Sequence, residues 1–77
     1  MGKAITLCIT GKHWYMRIKV REKLTLNNLK VIVANKLKTR RGEIKLMIDD
    51  NEMTGHMRLM DAGLEDESVL EVKADNV

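Results

Sequence analysis

The sequence has little cysteine, few aromatic residues and no long apolar run. Cys8 is the one cysteine among 77 residues, so no disulfide can form within the chain. A reducing compartment, the cytoplasm or the nucleus, is therefore expected. The longest aliphatic run covers residues 31–34, far less than a bilayer-crossing helix needs. The N-terminus also lacks the apolar stretch of a secretory signal, so we expect a soluble intracellular chain without a transmembrane segment.

Residue groupings that carry catalysis, metals or nucleotides are also scarce. His13 and His56 are isolated, and the acids of residues 49–52 lack the spacing of a calcium loop. The five glycines are scattered, and none leads from a strand into a helix as a phosphate loop requires. Cys8 could pair with His13 as nucleophile and base, but a structural thiol is the simpler interpretation. The sequence predicts a non-enzymatic chain without metal or cofactor.

The length and the charge distribution are informative. An apolar fraction of 44% in 77 residues predicts one small globular domain spanning residues 1–77. Residues 1–41 contain 11 Lys or Arg and one acid, whereas residues 42–77 contain 3 and 10. Such asymmetry can steer charged partners, although solvated surface charge is the default use of these residues.

The first twenty residues predict a β-hairpin. Residues 4–10 and 14–20 alternate apolar and polar side chains, and residues 10–13 between them have turn composition. The alternation places three apolar residues of each strand on one face: Ile5, Leu7 and Ile9 of the first, and Met16, Ile18 and Val20 of the second.

The period then changes to that of a helix. Apolar residues at helical spacing predict a helix over about 26–38, with Thr25 as its N-cap and Gly42 at the exit. Residues 44–48 predict a strand that ends in an Asp-Asp-Asn turn, and residues 69–73 predict the last strand. The element order predicts an α+β fold in which one helix covers one face of a mixed sheet of four to five strands.

Residues 59–72, Leu-Met-Asp-Ala-Gly-Leu-Glu-Asp-Glu-Ser-Val-Leu-Glu-Val, resemble the corresponding segment of ubiquitin and its relatives. The similarity continues without a gap from Leu26 to Asp75, and Thr10-Gly11-Lys12 resembles the family's hairpin tip. The resemblance implies a divergent ubiquitin-like β-grasp fold. It also implies that these apolar residues form its core: Leu26, Leu29, Val33, Leu46, Met53, Leu59, Leu64, Leu70 and Val72.

The departures from ubiquitin concern its binding surface. The family's apolar patch is centred on an isoleucine, and the resemblance places Met47 there. Glu71 and Lys73 occupy positions of a histidine and a valine, and Lys45 occupies a basic position. Burying an unpaired charge at an interface costs about 2–5 kcal/mol, so ordinary ubiquitin receptors should bind this chain poorly. These four residues are nevertheless candidates for partner binding.

Conjugated members of the family end in Gly-Gly, whereas this sequence ends Ala74-Asp75-Asn76-Val77. Covalent attachment is therefore not expected unless the sequence is a piece of a longer precursor. The positions that commonly extend polyubiquitin chains are Asn51 and Asp66 here. Residues 1–6 match the N-myristoylation pattern, which is too short and common to carry an expectation.

Strand two offers a second candidate surface. Its outward face is expected to carry Tyr15, Arg17, Lys19 and Arg21, and Trp14 precedes it. Trp14 and Tyr15 could anchor a protein partner or stack on a base. The alternative for Trp14 is that it packs over the open end of the core.

Three functions remain open from the sequence. The first is a protein-interaction module that acts non-covalently, stand-alone or as the N-terminal domain of a longer protein, with a ubiquitin-pathway or regulatory partner. The second is a binder of nucleic acid or acidic surfaces through the basic N-terminal half. The third is a conjugated modifier. We expect a monomer in each case.

Overall fold

A computed structural model describes residues 2–74; Met1 of the acylation pattern and residues 75–77 of the terminal sequence lie outside them. The elements, in chain order, are β1 (Ala4–Thr10), β2 (Tyr15–Arg21), α1 (Leu26–Lys36), a 3-10 helix (Arg41–Glu43), β3 (Ile44–Ile48), β4 (Asn51–Met53) and β5 (Val69–Ala74). Within residues 2–74 there is no helix of the length and hydropathy that a bilayer crossing requires.

The five strands form one mixed sheet in the order β2-β1-β5-β3-β4. β1 pairs antiparallel with β2 and parallel with β5, and β3 pairs antiparallel with both β5 and β4. The predicted β-grasp architecture is confirmed. β4 was not predicted, because Asn51–Met53 has one apolar side chain and follows β3 after a two-residue turn formed by Asp49 and Asp50.

Helix α1 begins where the sequence predicted and ends earlier. Thr25 is the N-cap, and its Oγ1 accepts a hydrogen bond from the backbone N–H of Asn28 at 3.2 Å. The predicted end at residue 38 was wrong, since the helix ends at Lys36. Lys38 has φ 57°, so it takes the left-handed conformation that terminates many helices, and the predicted exit at Gly42 lies within the 3-10 helix instead.

The helix packs across one face of the sheet and encloses the core. All the family core positions named above are fully buried except Met53, which packs against the cluster while partly exposed. The predicted inward residues of β1 are buried, and Ile18 of β2 is buried between the half-buried Met16 and Val20. β2 begins at Tyr15 and not at residue 14, so Trp14 belongs to the loop.

The start of α1 is tied to the loop that follows β4. The backbone N–H of Leu26 donates to the carbonyl of Met57 at 2.9 Å, and that of Asn27 donates to the carbonyl of Gly55 at 3.0 Å. Gly55 in turn donates its N–H to Oδ1 of Asn27 at 3.1 Å. These bonds tie the first turn of the helix to that loop, and α1 covers one face of the sheet only.

Candidate protein-interaction surface

The sheet face away from α1, called the outer face here, carries the alternate side chains of all five strands. Strand alternation and register place these residues on it: Ala4, Thr6, Cys8 and Thr10 of β1; Tyr15, Arg17, Lys19 and Arg21 of β2; Val69, Glu71 and Lys73 of β5; Lys45 and Met47 of β3; and Glu52 of β4. Every residue predicted to bind partners, apart from Trp14, therefore lies on one face. This convergence follows from the sheet order and could not be read from sequence distance.

Two exposed apolar side chains lie on the outer face. Tyr15 is 59% exposed and Val69 is 60% exposed. Cys8 lies between β2 and Val69, because it pairs with Arg17 on one side and with Val69 on the other. Met47 of β3 is partly exposed and pairs with Glu71. Tyr15 and Val69 lie on strands separated by β1, and exposed aromatic residues such as Tyr15 are enriched at protein-contact surfaces.

An ion pair crosses the outer face above Cys8. Nη2 of Arg17 lies 2.8 Å and 2.5 Å from the two carboxylate oxygens of Glu67, and the Cys8 thiol donates to Oε1 of Glu67 at 3.8 Å. The Glu67 carboxylate raises the pKa of the Arg17 guanidinium above its usual value. Arg17 already forms an ion pair with an acid, so it is less available to bind a phosphate group.

Lysines collect at the end of the outer face where β5 finishes. Lys45 of β3 and Lys73 of β5 are directly opposite each other in the antiparallel register. The parallel register of β1 with β5 places Thr10 beside Glu71, so Lys12 follows near Lys73. Lys12, Lys73 and Glu71 line a shallow groove of about 250 Å³. We call Lys12, Lys73 and Lys45 the lysine row.

Trp14 is set apart from this surface. Its indole packs against the core and crosses the backbone of Gly11, where an added Cβ would lie 2.1 Å from the ring. The indole Nε1 is buried without a hydrogen-bond partner among the described residues. The loop is closed by a bond from the Gly11 N–H to the Trp14 carbonyl at 2.9 Å. Of the two interpretations of Trp14, this geometry favours packing over the open end of the core over contact with a partner.

The opposite end of the sheet is richer in acids. A larger open groove of about 490 Å³ there is lined by Lys3, Glu22, Glu65 and Asp66, among others. Oδ1 of Asp66 accepts a hydrogen bond from the Thr6 N–H at 2.7 Å, so one of these acids is engaged in the fold. Residues 2–74 include no cluster of three or more His, Cys, Asp or Glu placed to hold a metal ion.

Sequence reasoning missed three participants of the outer face. Val69 was treated only as the start of a strand, although strand alternation from the buried Leu70 places it outward. Glu67 reaches Arg17 from 50 residues away, a contact that only the β1–β5 register creates. Lys12 was assigned to a turn, and its proximity to Lys73 depends on that same register.

Comparison with known proteins identifies relatives by fold and by family. A structure of Caldiarchaeum subterraneum ubiquitin matches with a TM-score of 0.89 at 13% identity, covering 97% of this chain and 98% of that one. A structure of ATBAG1 in complex with HSP70 matches with a TM-score of 0.84 at 22% identity, over 95% of this chain and 41% of that one. A structure of a pParkin-pUb-UbcH7 complex matches with a TM-score of 0.85 at 18% identity, covering 94% of this chain and 23% of that one.

These identities establish the fold alone, and the chain spans less than half the length of the last two matched chains. No curated protein matches the sequence. A family model described as ubiquitin-2 like Rad60 SUMO-like matches residues 5–73, which include the helix and all five strands except the terminal residues Ala4 and Ala74. The chain therefore belongs to the Rad60 SUMO-like family of ubiquitin-like domains.

Proposed function

We propose that this chain is a non-covalent protein-interaction module that binds its partner through the outer face of its sheet. The observation that carries the proposal is the pair of exposed side chains Tyr15 and Val69 on a face that no element of residues 2–74 covers. Aromatic and aliphatic side chains within a charged rim are the composition of a specific protein interface.

The dimensions of the outer face bear on the same proposal. Five strands spaced about 4.8 Å apart give the face a width of about 19 Å, and the longest strands, of seven residues, extend about 23 Å along it. The face therefore projects over roughly 400 Å², about half of the area that each partner of a standard interface buries. The two grooves described above are open to solvent, so neither of them encloses a small-molecule substrate.

The structural neighbours provide a precedent for partner binding in this fold. The ATBAG1 structure contains HSP70, and the pParkin structure contains ubiquitin and UbcH7. Those partners belong to those proteins. In this chain, charged residues surround the position of ubiquitin's apolar patch, because Met47 pairs with Glu71 and Lys45 pairs with Lys73. We infer a partner that is complementary to a mixed, largely basic surface, and no catalytic role.

Size measurement of the native protein tests this function. The full gene product, tagged and expressed in cells of its source organism, should elute from a sizing column as a complex larger than the free chain. A denaturing gel should return the mass of the single chain, because the association is non-covalent. A ladder of higher masses on the denaturing gel would contradict the proposal and favour a conjugated modifier.

Surface variants make the test specific. Tyr15→Glu combined with Val69→Glu places two charges within the apolar part of the outer face and should return the protein to the free-chain elution volume. Met57→Glu combined with Met60→Glu is the matched control, since these methionines are 51% and 41% exposed but lie outside the sheet. Loss of the complex in the control pair alone would place the interface elsewhere.

A nucleic-acid or acidic-surface binder is the second candidate, favoured by Lys19 and Arg21, which are exposed beside Arg17 on the edge strand β2. Binding of this kind should weaken steeply with salt and disappear in Arg17→Glu/Lys19→Glu. The Arg17–Glu67 pair argues against it, because a phosphate would compete with an acid already in place. Undetectable oligonucleotide binding at low salt would remove this candidate.

A further inference from the structure

The lysine row brings three like charges together, and within residues 2–74 none of them forms an ion pair, although Glu71 lines the same groove. Lys45 and Lys73 are direct cross-strand partners, and Lys12 shares a groove with Lys73. Like charges opposite one another in a sheet are destabilising. Within residues 2–74 the ion pairs are Arg17–Glu67 and Arg58–Asp61, and neither involves a lysine. Glu71 offsets part of the repulsion in the row, and no ion pair of the described residues removes the rest.

From this arrangement we propose that the lysine row is the docking site for an acidic extended segment of the partner protein, with carboxylates at positions two residues apart. The proposal rests on the proposed function and specifies the chemistry of its partner. Carboxylates placed over the row would relieve the repulsion between Lys45 and Lys73 and accept hydrogen bonds from the ammonium groups.

The spacing of the row fits an extended peptide. Lys45 and Lys73 lie on the neighbouring strands β3 and β5, and Lys12 lies in the loop just after β1 on the other side of β5, so the row extends about 10 Å across the sheet. In an extended segment, side chains two residues apart point the same way and are separated by about 7 Å. Two such carboxylates span most of the row, so that one can lie near Lys12 and the other near Lys45, and the flexible Lys73 side chain can reach either of them.

Glu71 explains why a peptide fits this groove better than a nucleic acid. It lines the groove with Lys12 and Lys73, and it lies on the outer face two residues before Lys73. A continuous phosphate backbone would bring negative charge against this carboxylate. A peptide can instead place carboxylates only over the lysines and present an apolar or basic side chain to Glu71 and its neighbour Met47.

The test uses two synthetic peptides that differ only in charge, Gly-Glu-Ala-Glu-Ala-Gly and Gly-Gln-Ala-Gln-Ala-Gly, both blocked at their ends. Titration into the ¹⁵N-labelled chain at low salt should perturb Lys12, Lys45 and Lys73 amides with the Glu peptide and leave them unchanged with the Gln peptide. Lys45→Gln combined with Lys73→Gln should weaken binding by about tenfold or more.

Lys3→Gln combined with Lys23→Gln is the matched control, because it removes the same charge near the opposite end of the sheet, where the Lys23 side chain packs beside Gly2. Its binding should stay within about twofold of the parent. The Lys45/Lys73 variant should also unfold at a temperature no lower than the parent, since it removes a repulsive pair.

Equal weakening in both double variants would overturn the proposal in favour of a non-specific effect of net charge. Absence of any perturbation with the Glu peptide at low salt would overturn it too, as would tighter binding of a single-stranded oligonucleotide than of the Glu peptide under the same conditions. The sizing experiment decides the proposed function separately, since it depends on Tyr15 and Val69 and not on this peptide.

Discussion

The indole of Trp14 lies directly against the backbone of Gly11, with its Nε1 only 2.2 Å from the position a Cβ would occupy. Gly11→Ala must therefore displace the ring or open the β1–β2 loop. We expect a loss of about 1–3 kcal/mol in the free energy of unfolding, the usual cost of overpacking. Urea denaturation measures the loss, and a red shift of the tryptophan emission would report the displaced indole.

Gly42→Ala is the control for that substitution, because nothing lies within 4 Å of the Cβ it would add. Its stability should stay near that of the parent. Equal stability of Gly11→Ala and Gly42→Ala, with unchanged emission, would show that the indole is not held over Gly11.

Asn27 is predicted to stabilise the junction between α1 and the loop after β4. Its side-chain Oδ1 accepts the partly buried N–H of Gly55, so Asn27→Ala leaves that donor unsatisfied. The expected loss is about 1 kcal/mol in the free energy of unfolding. Asn28→Ala is the matched control, since the Asn28 side chain is exposed and should tolerate the change. A larger loss in Asn28→Ala would contradict the assignment.

The β3–β4 turn carries backbone strain that can be relieved. Asp49 and Asp50 have φ of 50° and 67°, in the left-handed region where Asn and Gly are favoured for two-residue hairpins. Asp49→Asn combined with Asp50→Gly should raise the free energy of unfolding by about 0.5–1 kcal/mol. Gly63→Ala should act in the opposite direction, because Gly63 has φ of 85°. Thermal unfolding should show a higher melting temperature for the Asp49/Asp50 variant and a lower one for Gly63→Ala.

Glu71 is predicted to make the groove of the lysine row bind acidic peptides in preference to oligonucleotides. Glu71→Gln removes the one carboxylate that lines this groove among residues 2–74, so the affinity for the Glu peptide should rise by a few fold and the affinity for oligonucleotides should rise more. The comparison of the two gains in the same buffer is the measurement. A lower affinity of Glu71→Gln for the Glu peptide would contradict the prediction and would mean that Glu71 helps to position the lysines.

The sequence predicted β1 and the start of α1 correctly, because the spacing of apolar residues along a strand or helix shows which side chains are buried. The inward alternation of β1 and the helical spacing of Leu26, Leu29 and Val33 each correspond to buried positions. The resemblance to ubiquitin added the β-grasp fold and the core positions of the second half of the chain. The helix end was wrong because a lysine, Lys38, adopts the left-handed conformation for which glycine is the usual signal.

The candidate site was predicted only in part, for a physical reason. Alternation tells which residues of a strand face outward, but the strand order and register decide which of them meet. Arg17 with Glu67, and Lys45 with Lys73, are brought together by pairings between distant strands. A close approach such as that of Trp14 to Gly11 depends on a loop conformation, which no periodic pattern encodes.

Site-specific photocrosslinking tests the central claim, that the outer face is the interaction surface, most directly. p-Benzoylphenylalanine replaces Tyr15 or Val69 in the full gene product, and Met57 or Met60 in the controls, before irradiation of cells of the source organism. The account predicts one shared adduct from Tyr15 and Val69, lost when Lys45 and Lys73 are changed to Glu, and absent from the Met57 and Met60 positions. The same adduct from Met57 or Met60, with none from Tyr15 and Val69, would contradict it.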